Sequence, residues 1–156
     1  NFLEKVISNS IQIVNLGNFE IETKKNVIMI AADYQSTLFS EAASASFHAD
    51  GWQVYSLGDM SSSIDVLFDL DLQKFLTKVW KSGMGIMVIV IFSSTAESMK
   101  FFAESVNSIK LKSRKNLYLA VCGDMKKNTE IKADLVEEDI QAVLQWSQTT
   151  FESFIS

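Results

Sequence analysis

The chain of 156 residues has no proline, one cysteine (Cys122), one histidine (His48) and six glycines. A single cysteine excludes an internal disulfide framework and a cysteine-rich metal site, and it fits a reducing, cytoplasmic compartment. The formal charge is −5 and no basic run exceeds two residues, as at Lys24-Lys25 and Lys126-Lys127. Phosphate backbones need clustered Lys and Arg, so nucleic acid is excluded as a direct partner. The longest apolar run, Met84–Phe92, is far too short to span a bilayer, which excludes a membrane partner of that kind. The N-terminus shows neither a basic n-region nor a cleavage-like site, so no signal peptide is expected. The chain begins at Asn1 without Met and reads as a piece of something larger. Without proline, boundaries must come from periodicity.

What is present is an ordinary globular balance, 47% apolar and 21% charged. One domain with a full core is expected. Residues 1–25 read as an N-terminal helix (apolar at Phe2, Leu3, Val6, Ile7, Ile11 and Val14) and a connector after Gly17-Asn18. The domain proper is expected over 26–156.

Within it, Val27–Ala32 and Ile86–Phe92 are unbroken apolar runs, the mark of strands buried on both faces. Trp52–Leu57 and Leu117–Val121 read as further strands, and Ala133–Val136 as a short edge strand. Between them lie predicted helices: Gln35–Ala49, a stretch with Leu72, Phe75, Leu76, Val79 and Trp80 on one face and Gly83 as its end, Thr95–Ile109, and a last one striped by Ile140, Val143, Leu144, Phe151, Phe154 and Ile155. Ser61–Ser63 are read as a helix cap. This alternation predicts an α/β fold: a flavodoxin-like (Rossmann-like) three-layer sandwich with a parallel sheet of four or five strands, order 2-1-3-4-5. In such folds ligands bind beyond the carboxyl ends of the strands. That edge comprises Asp33–Leu38, Gly58–Ser63, Ser93–Thr95 and Cys122–Lys126.

The chemistry at this edge is sparse. The third strand ends in Phe92-Ser93-Ser94 with no Asp, so a phosphoacceptor receiver is excluded. The first turn, Asp33-Tyr34-Gln35-Ser36-Thr37-Leu38, has no Gly to bring backbone amides to a phosphate; Ser36 and Thr37 are read as helix caps. His48 falls at the opposite end of the sheet, where it complements a helix C-terminus. That placement counts against nucleophilic triads and zinc. Cys122 is at the edge, but no His or Arg stands beside it in the sequence to activate it, and it is read as a small buried hydrophobe. Glu137-Glu138-Asp139 are read as acids complementing the start of the last helix.

The order of these elements and turns resembles the cobalamin-binding domain of methionine synthase, corrinoid proteins and light-sensing regulators. That family carries Asp-x-His-x-x-Gly after its first strand, a Gly-aromatic pair after the first helix and Leu-Gly at the end of the second strand. This chain has Asp33-Tyr34-Gln35-Ser36-Thr37-Leu38, Gly51-Trp52 and Leu57-Gly58, then Ser93, Gly123, Ala133-Asp134 and Glu138-Asp139…Ala142-Val143. The resemblance spans roughly 26–148. Gln35 stands where the family has its cobalt-ligating His, and Leu38 where its Gly leaves room for the nucleotide tail. The resemblance therefore implies a degenerate member, without His-on cobalamin binding and with Asp33 deprived of the imidazole it would orient. It is similar in this to an offshoot in bacterial light and redox sensors that binds haem instead.

These readings make the protein a non-catalytic sensory or regulatory domain. Its site would comprise Asp33, Gln35, Leu38, Ser93, Cys122 and Gly123. Haem and cobalamin are the candidate cofactors, with Cys122, Met60, Met99 and Met125 as the soft axial donors near the edge. A protein partner or neighbouring domain would receive the signal. The alternative is a cofactor-free interaction module whose pocket is closed by Leu38.

Overall fold

The computed structural model describes residues 24–65, 67–80, 85–112, 115–123 and 131–156. The expected N-terminal helix, the connector up to residue 23, the helix end at Gly83 and the candidate donor Met125 lie outside these residues; the first strand starts at Lys25, inside the expected connector.

Five strands form one sheet, all parallel, in the order β2-β1-β3-β4-β5. They are β1 (Lys25–Ala31), β2 (Gln53–Asp59), β3 (Ile86–Phe92), β4 (Leu117–Cys122) and β5 (Leu135–Glu137). The helices are α1 (Thr37–Ala49), α2 (Phe68–Val79), α3 (Ala96–Leu111) and α4 (Ile140–Ile155). This is the flavodoxin-like order.

The apolar runs explain the sheet. All seven residues of β3 are buried, as are Asn26–Ala31 of β1. Successive side chains point to opposite faces, and each face meets its own helices. Ile28, Ile30, Ile89 and Ile91 pack with Phe68, Leu72 and Phe75 of α2 and Phe102 and Val106 of α3. Val27, Met29, Val88 and Val90 pack with Ala43 and Phe47 of α1 and Val143 and Phe151 of α4. Two cores on one sheet make the three layers.

Local details differ from the sequence reading. Ser61–Ser63 do not cap α2; they form a 3-10 turn of their own, and α2 starts at Phe68 without a side-chain cap. A second 3-10 turn, Tyr34–Ser36, precedes α1. Trp52 lies one residue before β2 and is fully buried. β5 lies at the sheet edge as expected, but over Leu135–Glu137. Among the described residues no helix is long and apolar enough to cross a membrane.

Candidate functional site

The carboxyl ends of the strands are tied into one edge. Ala32 N–H donates to Phe92 O (2.7 Å), Met60 N–H to Ala31 O (2.8 Å) and Gly123 N–H to Glu137 O (3.1 Å). Near the end of β2, Gly58 adopts φ +71°, and the β1–β2 register shifts beside it between Met29 and Ala31. Only a glycine takes that backbone without strain. At the end of β4, a Cβ on Gly123 would lie 2.5 Å from the Ser93 carbonyl oxygen and 2.8 Å from Met99 Cε. Gly123 therefore lets the loops after β3 and β4 approach each other.

Asp33 organises this edge. Its Oδ1 accepts from Ser36 N–H (3.0 Å) and Ser36 Oγ (2.7 Å). Its Oδ2 accepts from Ser94 N–H (2.9 Å) and Ser94 Oγ (2.8 Å). A carboxylate has about four lone-pair sites, so these donors fill it. Ser93 Oγ lies 3.4 Å from Oδ2, but its proton goes to Thr95 O at 2.7 Å, the better bond. Burial pushes the Asp33 pKa up, and the hydroxyl and amide donors of Ser36 and Ser94 together push it down further, so it ends below its ordinary value. Serines have taken the place of the imidazole that the resemblance would put beside Asp33.

Gln35 joins the same network. Its Oε1 site lies 2.9 Å from Ser94 Oγ, whose one proton is already directed at Asp33. The pair is satisfied when the Gln35 amide turns its NH₂ towards that hydroxyl. Thr37 Oγ1 donates to Tyr34 O at 2.7 Å. Ser36 and Thr37 thus spend their hydroxyls as donors within the turn and do not cap α1, contrary to the capping reading; the side chain that caps the turn is that of Asp33.

Above this network is a cleft of about 560 Å³, within the usual range for small-molecule sites. Gln35, Ser36, Ser93, Ser94 and Gly123 give it polar hydroxyl, amide and backbone groups; Phe39, Phe92 and Cys122 give it apolar walls; Glu138 adds the one ionisable carboxyl. Of the six residues expected from the sequence, Gln35, Ser93, Cys122 and Gly123 line the cleft, and Asp33 holds its serines in place. Leu38 does not line it: its side chain is 75% exposed on α1, and Phe39 stands at the wall instead. The cleft is open, not closed by Leu38. Phe39, Phe92 and Glu138 were not read as site residues. The first two are indistinguishable in sequence from core aromatics, and Glu138 is delivered by the pairing of the short strand β5 with β4.

The candidate metal donors fare differently. Cys122 is 5% exposed, and burial, followed by the charges of Asp139, Glu137 and Glu138, pushes its thiol up to about 11. It is a protonated thiol at neutral pH, not a thiolate. Met60 and Met99 are buried in the core against α2 and α3 and do not line the cleft. His48 is in the last turn of α1, at the other end of the sheet. Among the described residues no three His, Cys, Asp or Glu side chains group as a metal site would require. The described cleft residues therefore do not fit an axial bond to haem iron or to cobalt. Among the described residues that line the cleft there is a carboxyl and no Lys or Arg, so these residues offer no partner to the propionates or the phosphodiester of those molecules.

The chain matches no protein-family model, no curated protein and no solved structure.

Proposed function

We propose that this is a non-catalytic sensory or regulatory domain whose carboxyl-edge cleft takes a neutral or cationic organic ligand, held by hydrogen bonds and apolar contact without a metal bond from the protein. The observation that carries the reading is the state of Asp33. In a hydrolytic or proton-transfer site it would be the base. Here four donors occupy its lone pairs, and its lowered pKa makes it a poor proton acceptor. With Cys122 protonated, the cleft also has no activated nucleophile. Descent from a cobalamin-type domain is part of the proposal, supported by the strand order and by the position of Asp33-Tyr34-Gln35 at the switch between strands. A cytoplasmic setting belongs to it too, supported by the unpaired, buried thiol. Signal output would run through a neighbouring domain or partner.

Absorption titrations with hydroxocobalamin and with haem test the metal part. Both should bind weakly, with no spectral sign of imidazole or thiolate coordination, and Gln35→His should strengthen cobalamin binding. Saturation by haem at one per chain below about 1 µM, with a Soret band lost in Cys122→Ala, would overturn it.

A further inference from the structure

Among the described residues nine large apolar side chains are exposed, and six of them follow the carboxyl ends of just two strands. Tyr34, Leu38 and Phe39 follow β1; Ile64, Leu67 and Leu70 follow β2. The other three, Leu111, Val136 and Ile155, are scattered over α3, β5 and α4. Single exposed apolar residues need no explanation, whereas their concentration on one end of a molecule marks an interaction surface. β1 and β2 are neighbours in the sheet, and the Met60 N–H to Ala31 O bond joins the two segments where they leave it. α1 and α2 lie on opposite faces, so the two clusters flank the end of the sheet from both sides.

The segment that carries both clusters has charge of one sign. From Asn26 to Gln73 the sequence contains no Lys or Arg. Glu41 stands one turn from Leu38 on α1; Asp65, Asp69 and Asp71 interleave with Ile64, Leu67 and Leu70. Asp65 accepts a hydrogen bond from a backbone amide, Leu67 N–H at 2.8 Å, a bond that brings no cation to its charge.

We propose that this end of the domain is a docking face for a basic amphipathic segment of a partner protein, with the segment's apolar side on Leu38, Phe39 and Leu67 and its Lys or Arg side chains opposite Glu41, Asp65, Asp69 and Asp71. Charge complementarity selects this occupant. A second copy of the chain brings the same acids and a net charge of −5. An anionic membrane surface meets the same repulsion. The helix-in-groove mode of recognition, apolar anchors one turn apart, suits Leu67 with Leu70, and Leu38 and Phe39, adjacent on α1, offer a second contact. The inference goes beyond the ligand reading, because the face requires nothing in the cleft; Phe39, which belongs to both, is where a bound ligand would be felt by the partner.

The test uses two helical peptides with the same leucine stripe, one carrying Lys and the other Glu on its polar face, titrated against the full chain by fluorescence anisotropy with no small molecule present. The Lys peptide should bind with Kd on the order of 10 µM, at least ~10-fold more tightly than the Glu peptide. Leu38→Ser with Leu67→Ser should weaken it by at least ~10-fold, Asp65→Asn with Asp69→Asn should weaken it and flatten its salt dependence, and Leu111→Ser should leave it unchanged. All these side chains are on the surface, and a matched thermal melt confirms folding. Equal binding of the two peptides, or an equal loss in Leu111→Ser, overturns the proposal. So does a dimer in sedimentation that Leu38→Ser dissolves, or uptake by anionic phospholipid vesicles. Because this titration contains no small molecule and substitutes no cleft residue, its failure leaves the ligand reading standing, and small-probe binding in the cleft is measured separately.

Discussion

At the scale of the residue, two ionisable groups carry the account. Asp33 is an acid whose folded-state pKa lies below its ordinary value of 3.8. Its contribution to stability is therefore complete above that value and is lost as pH falls through the lower folded one. Urea denaturation of the wild type between about pH 2 and 7 should show that loss on the acid side, and Asp33→Asn should remove this component of the slope. At neutral pH, Asp33→Ala strands the Ser94 amide, leaves the Ser36 N–H only the Asp33 carbonyl at 3.2 Å, and should cost about 1–3 kcal/mol. Cys122 shifts the other way. A thiol moved from 9.0 to about 11 holds about 100-fold less thiolate at neutral pH. Thiol labelling of the native chain should be slower than that of the urea-unfolded chain by at least that factor. Rapid native labelling at pH 7 would show that the thiol is neither buried nor raised.

At the scale of the element, Ile86–Phe92 was the most legible part of the sequence, because seven consecutive apolar residues have no solvent-facing side. Burial on both faces also makes β3 costly to alter: Ile89→Ala should lose about 2–5 kcal/mol in urea unfolding. The boundaries were less legible. Trp52 reads as the start of a strand, yet it packs fully buried one residue before it, its ring edge-on to Phe47. Ser61–Ser63 have the composition of a cap but make a separate turn, since a cap depends on where the next helix begins. Gly123 reads in sequence as a site residue at a turn. Its real constraint is the Ser93 carbonyl on the neighbouring loop, a contact made by folding and absent from local sequence. Gly123→Ala should therefore destabilise by about 1–3 kcal/mol and move the Ser93–Thr95 loop, visible as shifts in the Ser94 and Thr95 amides. Unchanged stability and spectra would show that the loops part without cost.

At the scale of the whole molecule, alternation and apolar runs were enough to give the doubly wound sheet and the edge on which a site would form. They were not enough to give its lining. Ser93, Cys122 and Gly123 read as site residues from their positions at strand ends, and Gln35 from its place in a motif. Leu38 was assigned by its place in a motif, but helix geometry turns it outward and brings Phe39 to the cleft. Glu138 arrives through a three-residue strand. The central claim concerns the chemistry of that assembled lining: hydroxyls, an amide, apolar walls and a carboxyl, with no cation among the described residues. Nuclear magnetic resonance with three aromatic probes of similar size and different charge (benzamide, benzylamine and benzoate) measures it directly. Benzamide and benzylamine at millimolar concentration should shift the amides of Ser36, Ser94 and Gly123, and benzoate should leave them in place. Benzoate acting as the strongest of the three at those amides would contradict the account.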